Sequence, residues 1–100
     1  MIGSPRVLIA DDESQLLRVL VRAFEKHGYS VVAATDGKLA IDLLRRADAA
    51  IDAIVLDAAI GPGGAGGVLE VVAAERPALA VVVTSGDQLP SPLRCQLRAQ

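Results

Sequence analysis

One hundred residues, 52% of them hydrophobic, suit a single small soluble domain and leave no room for a second core. The net charge is −2 and the basic residues are scattered along the chain, so the sequence carries no nucleic-acid footprint. No apolar run approaches the roughly 18 residues of a membrane span. We therefore expect a cytoplasmic domain that binds neither nucleic acid nor a membrane.

The first predicted element is a strand, RVLIA (6–10), a near-continuous apolar run of the kind that is buried on both faces of a parallel sheet. A helix is predicted over 13–26, with Gly28 as its stop, because apolar residues recur along one face. That face comprises Leu16, Leu17, Leu20, Val21 and Phe24. A second strand, SVVAA (30–34), follows.

Asp36 is placed to cap a second helix. The inward stripe of that helix comprises Ala40, Leu43, Leu44 and Ala47. A third strand, AIVLD (53–57), a third helix over 67–75 and a fourth strand, LAVVVTS (79–85), come next, and Ser91 begins a fourth helix. Strands and helices thus alternate, which predicts an α/β fold with a parallel sheet and helices on both faces.

Acidic residues follow two of these strands: Asp11 and Asp12 come directly after the first, and Asp57 ends the third. In the flavodoxin-like order 2-1-3-4 these strands are neighbours, and function gathers beyond their carboxyl ends, so we expect the three carboxylates to meet. Asp12 taken alone is equally consistent with a helix N-cap. Close carboxylates repel one another unless a cation neutralises them, and Mg²⁺ with water and phosphate as further ligands suits such a site.

Four stretches of the chain match one known family. They are VLIADDE (7–13), HGYSVVAATDGKLAIDLL (27–44), DAIVLD (52–57) and VVVTSG (81–86). In them the chain resembles the receiver domains of bacterial two-component response regulators, which implies a flavodoxin-like, doubly wound parallel sheet. A carboxylate can accept a phosphoryl group covalently.

By this resemblance Asp57 takes a phosphoryl group from a histidine kinase or phosphotransfer protein, and Thr84 contacts that group. The resemblance implies Mg²⁺ held by Asp11, Asp12, Asp57 and the backbone carbonyl of Ala59. Such a domain is a signalling phosphoacceptor rather than an enzyme, although self-phosphorylation from small phosphodonors is chemically feasible.

Two other functions were weighed against this one. GPGGAG (61–66) fits the dinucleotide fingerprint G-x-G-x-x-G, but a carboxylate and three further residues separate it from the strand, and a lone match of this kind is weak evidence. We interpret the glycines as a flexible turn beside Asp57. An aspartate-nucleophile phosphatase would need a second acid two residues after the nucleophile, where this chain has Ala59.

The sequence departs from the family at its end, and we expect a C-terminally truncated receiver over 1–100 without the fifth strand and helix. The family's lysine at the end of the fifth strand is then missing, because the lysines present are Lys26 and Lys38. The alternative function is therefore a pseudo-receiver that binds partners without phosphoryl transfer. We also expect self-association, since a fourth strand left at the sheet edge is a template for pairing. The routes are pairing of strand 79–85, exchange of the segment after Gly86, or contact through the fourth helix around Leu93 and Leu97.

Overall fold

The structure is a computed structural model that describes residues 4–46, 50–61 and 64–84. Strands and helices alternate along these residues: β1 (Arg6–Ala10), α1 (Ser14–Lys26), β2 (Ser30–Ala34), α2 (Gly37–Arg45), β3 (Ala53–Asp57), α3 (Gly64–Glu75) and β4 (Ala80–Thr84). The strands are parallel and their spatial order is β2-β1-β3-β4. The predicted fold and strand order are confirmed, and the helix predicted from Ser91 lies outside the described residues.

Helices lie on both faces of the sheet because successive residues of a strand point to opposite sides. On one face, Val7 and Ile9 of β1 pack with Leu17 of α1. On the other, Leu8 and Ala10 of β1 pack against α2 and α3. The helical residues buried there are Ala40, Leu44, Val68 and Val72. None of the helices described is long and apolar enough to cross a membrane.

The central strands β1 and β3 are the most deeply buried of the described strands, whereas β4, which we expected at the sheet edge, is the most exposed. Val82 and Val83 are 42% and 46% exposed. These side chains are exposed because β4 is the last strand of the described sheet, on the side of β3 away from β1 and β2. The strand also begins at Ala80 rather than at Leu79, whose N–H closes a turn onto the carbonyl of Arg76.

Local backbone chemistry sets the helix ends. Gly28, with a φ of 91°, follows α1 in the left-handed region that glycine tolerates, as predicted. Asp36 caps α2 through Oδ1, which accepts the N–H of Leu39 at 2.8 Å. Glu13 rather than Asp12 is the N-cap residue of α1. Helix α3 begins at Gly64, earlier than the predicted position 67, because tertiary packing overrides the low helix propensity of its glycines.

The Asp36 cap provides a test of how much local capping contributes to this fold. Asp36→Ala removes the acceptor for the Leu39 N–H and should lower the free energy of unfolding by about 1 kcal/mol. For a domain of this size that is a fall in Tm of about 4–8 °C. Asp42→Ala, an exposed substitution inside the same helix with the same loss of charge, should change the free energy by less than about 0.5 kcal/mol. Equal Tm values for the two variants in thermal denaturation would contradict the capping role.

Candidate metal centre

Three acidic side chains converge where β1 and β3 end. The two strands are paired so that Ala10 lies opposite Leu56. Asp11 directly follows β1 and Asp57 is the last residue of β3, so the two acids lie side by side at this end of the sheet. Asp11 is 3% and Asp57 8% exposed, whereas Asp12 faces solvent. One carboxylate oxygen from each of the three acids lies within 4.8 Å of the others. The structure therefore brings together the three residues that the sequence analysis placed in one site.

Burial and mutual repulsion make this arrangement unfavourable without a cation. Burial raises the pKa of Asp11 above its ordinary value, and the negative charges of Asp57, Asp12 and Glu13 raise it further. One interaction opposes them, because the backbone N–H of Glu13 donates to Asp11 Oδ1 at 2.8 Å and favours the ionised form. Three converging carboxylate oxygens are the donor set of a hard divalent cation, so the residues present fit Mg²⁺.

The connection from β3 to α3 folds back onto two of these acids. The N–H of Ala59 donates to Asp57 Oδ1 at 3.1 Å, and the N–H of Gly61 donates to Asp12 Oδ2 at 3.4 Å. The N–H of Ile60 donates to the carbonyl of Asp57 at 3.1 Å. Backbone donors thus orient the carboxylates of Asp57 and Asp12, at distances that indicate a moderate and a weak hydrogen bond.

Thr84 lies at the end of β4, directly opposite Asp57 in the strand register, and is half-buried. Its carbonyl accepts the N–H of Ala58 at 2.7 Å, which ties β4 to the first residue after Asp57. Ala59 is exposed two residues past Asp57. The contact of the Thr84 hydroxyl with a phosphoryl group and the ligation of the metal by the Ala59 carbonyl stay predictions.

The lysines are where the sequence analysis placed them, away from the strand ends. Lys26 is the last residue of α1 and Lys38 the second residue of α2, and both are exposed. Neither can take the position of a lysine at the end of a strand that neighbours Asp57.

Sequence reasoning missed the part that Gly61 has in the site. Its N–H reaches Asp12, and its carbonyl accepts the N–H of Gly37 at 3.0 Å, so one peptide segment links an acid of the site to the start of α2. The signal was the run of glycines after Asp57, which was interpreted only as a flexible turn. Because the N–H of Gly61 is directed at a carboxylate, this geometry also disfavours a pyrophosphate-binding loop.

Comparison with known proteins agrees with this geometry. The family model of the response regulator receiver domain matches residues 7–95. Over 52 residues the chain is 38% identical to the transcriptional regulatory protein CpxR of Escherichia coli K12, an alignment that covers 52% of this chain and 21% of CpxR. The chain therefore matches only about a fifth of the length of that curated relative.

Solved structures of receiver domains have the same fold. The receiver domain of the hybrid histidine kinase CckA superposes with a TM-score of 0.76 at 23% identity, covering 95% of this chain and 99% of that one. The non-phosphorylated HemR receiver domain of Leptospira biflexa superposes with a TM-score of 0.73 at 26% identity, covering 93% of this chain and 73% of the HemR domain chain. A response regulator receiver domain protein of Clostridium thermocellum superposes with a TM-score of 0.74 at 22% identity, covering 79% of this chain and 63% of that one.

The raised pKa of Asp11 predicts that the acidic cluster lowers the stability of the metal-free protein. An acid whose folded-state pKa is raised is destabilising once it is ionised, and this effect disappears as the pH falls through the folded pKa towards the unfolded value. Asp11→Asn keeps the acceptor for the Glu13 N–H but removes the charge. It should raise the metal-free Tm at pH 7, and the difference from wild type should shrink as the pH is lowered.

With Mg²⁺ present, the same thermal denaturation experiment should give wild type the higher Tm and Asp11→Asn the lower one. At ten times its Kd, a ligand of the folded state stabilises it by about 1.4 kcal/mol, and Asp11→Asn should lose most of this gain. Asp42→Asn, with the same charge change on an exposed helix position, is the control and should follow wild type. A metal-free difference that grows as the pH falls would contradict the assigned cause.

Proposed function

The chain belongs to the response regulator receiver domain family, and we propose that it is a phosphoacceptor of two-component signalling that uses Asp57 as acceptor and Mg²⁺ as cofactor. The observation that carries the proposal is the convergence of Asp11, Asp12 and Asp57 within 4.8 Å at the ends of neighbouring strands. A cluster with this charge favours a cation, and a cation so placed leaves positions for phosphate oxygens.

In the proposed reaction a carboxylate oxygen of Asp57 attacks the phosphorus of a phosphohistidine. The new P–O bond forms as the P–N bond breaks, and the imidazole nitrogen leaves with the bonding electron pair. Asp11 and Asp12 would hold Mg²⁺, which when bound would offset negative charge on the transferring oxygens. The backbone N–H of Ala59 orients the Asp57 carboxylate, and Thr84, opposite Asp57, is placed to contact the phosphoryl group.

This function makes the domain a substrate of phosphoryl transfer rather than an enzyme with a turnover of its own. Its proposed partners are a histidine kinase or a phosphotransfer protein, and its proposed location is the cytoplasm. Self-phosphorylation from a small phosphodonor uses the same attack by Asp57, with the donor's leaving oxygen in place of the imidazole nitrogen. A small phosphodonor can therefore replace the histidine kinase in an experiment that tests phosphoryl acceptance by Asp57.

Phosphoryl acceptance can be tested by intact mass spectrometry. With a small phosphodonor and Mg²⁺, wild type should gain the mass of one phosphoryl group in an acid-stable, base-labile adduct. Asp57→Asn removes the nucleophile and should abolish the adduct. Removal of Mg²⁺, or Asp12→Asn, should slow labelling by about 100-fold or more, because one charge-stabilising contact of a transition state contributes roughly that much.

The control for general damage is Asp52→Asn, which alters an acid at the opposite end of the sheet, where Asp52 Oδ2 accepts the N–H of Arg6 at 2.8 Å. It should label at the wild-type rate. Equal labelling of wild type and Asp57→Asn, or no labelling of either at saturating donor, would overturn the proposal. The second candidate, a pseudo-receiver that binds partners without phosphoryl transfer, would then be favoured.

We further propose that the 100-residue chain self-associates through β4. The support is the exposure of Val82 and Val83 on a strand that pairs with β3 on one side, with no second strand paired to it among the residues the structure describes. An apolar strand edge without charge or proline can pair with the same strand of another copy. A symmetric dimer is the simplest closed form.

Light scattering over a wide concentration range tests this association. The average mass should rise with concentration for wild type, and Val82→Lys should shift the rise to at least about tenfold higher concentration, since a lysine on an edge strand opposes pairing. Val19→Lys places the same charge on an exposed position of α1 and should behave as wild type. A wild-type protein that stays monomeric throughout would refute self-association.

A further inference from the structure

The first turn of α3 consists of Gly64, Ala65, Gly66 and Gly67, and we call residues 64–67 the glycine turn. Each glycine in a helix disfavours the helical state about fivefold relative to alanine, because glycine loses more backbone freedom when it is ordered. Gly64 has a φ of 70°, a conformation in which other residues are strained. Helix α3 therefore begins with residues of low helix propensity.

Steric contact does not require glycine at the two later positions. A Cβ at residue 66 would meet no atom within 4 Å, and a Cβ at residue 67 would meet only Ile41 Cδ1 at 3.9 Å, an ordinary van der Waals distance. Alanine would fit at both. What Gly66 and Gly67 contribute is therefore backbone freedom rather than space.

The chain that leads into the glycine turn is attached to the acids of the metal centre. Ala59 N–H donates to Asp57 Oδ1 at 3.1 Å and Gly61 N–H donates to Asp12 Oδ2 at 3.4 Å. The carbonyl of Gly61 accepts the N–H of Gly37 at 3.0 Å. Two of the anchors of this connection are therefore carboxylates whose position and charge a cation would change.

We infer that the glycine turn is an ordering element coupled to the metal centre, such that cation binding stabilises its helical form and the helical form binds the cation more tightly. The inference rests on the metal site of the proposed function. A cation fixes the side chains of Asp12 and Asp57, and these hold residues 59 and 61 by backbone hydrogen bonds. With residues 59 and 61 fixed, the turn that begins three residues after Gly61 loses less entropy when it orders. Because coupling is reciprocal, a turn that is already ordered raises the affinity for the cation.

The test uses the 100-residue chain and Mg²⁺ alone, with amide hydrogen exchange and Mg²⁺ titration as readouts. In wild type, saturating Mg²⁺ should slow the exchange of the amides of residues 68–71, which in an α-helix donate to the carbonyls of the glycine turn, by at least about threefold. Gly66→Ala should slow their exchange already without Mg²⁺. It should also lower the Kd for Mg²⁺ by about two- to fivefold, the range that follows from the propensity difference between glycine and alanine.

The matched control is Ala73→Gly, which changes the same pair of residue types at an exposed position in the second half of α3. It should weaken the helix but leave the Kd for Mg²⁺ within about 1.5-fold of wild type, because the coupling is local to the first turn. An equal effect of both variants on the Kd would assign the change to general helix stability and overturn the inference.

Two further outcomes separate this inference from the proposed function. The first outcome is that Mg²⁺ binds and Asp57 is labelled, but Mg²⁺ does not change the hydrogen exchange of residues 68–71, or Gly66→Ala does not lower the Kd for Mg²⁺. Either result would overturn the coupling alone. If titration detects no Mg²⁺ binding to wild type, the metal site and the coupling are overturned together. The coupling is supported if Mg²⁺ slows exchange in wild type, if Gly66→Ala binds Mg²⁺ more tightly, and if the Kd of Ala73→Gly for Mg²⁺ stays near the wild-type value.

Discussion

Repulsion among the three carboxylates of Asp11, Asp12 and Asp57 is the constraint around which the carboxyl end of the sheet is built. Asp11 and Asp57 are buried, and burial disfavours the charged form of Asp11 and raises its pKa. The protein offsets this with backbone donors, from Glu13 to Asp11 and from Ala59 to Asp57. These hydrogen bonds orient the carboxylate oxygens but do not neutralise their charge. The remaining repulsion among the carboxylates therefore favours binding of a cation.

That same constraint shapes the connection between β3 and α3. A segment that must direct its N–H groups at two carboxylates has to turn back towards the sheet, and the residues from Ala58 to Gly61 do so while pairing with Thr84 and Gly37. Loop, second helix and fourth strand therefore meet at the acids. Hydrogen bonds therefore connect the residues around the acids to α2 and to β4.

The opposite end of the sheet carries contacts of a different kind. Arg76 Nη2 donates to the carbonyl of Leu44 at 2.7 Å and satisfies a backbone acceptor in the last turn of α2. Arg45 and Glu75 form an exposed ion pair at 2.9 Å that joins α2 to α3, an interaction of small net stabilisation. These two contacts between α2 and α3 thus lie away from the acids, whose unfavourable charge is concentrated where the proposed chemistry takes place.

Local patterns in the sequence determined the identity and order of the described elements, the faces of α1 and α2, the Asp36 cap and the placement of acids after β1 and β3, because each depends on residues a few positions apart. They were insufficient for the start of α3, where the low helix propensity of the glycines competed with packing. Only the tertiary structure decided the contact of Gly61 with Asp12, 49 positions away, and the burial that raises the pKa of Asp11. Such properties arise between segments distant in the chain, and their energies depend on the solvent that packing excludes.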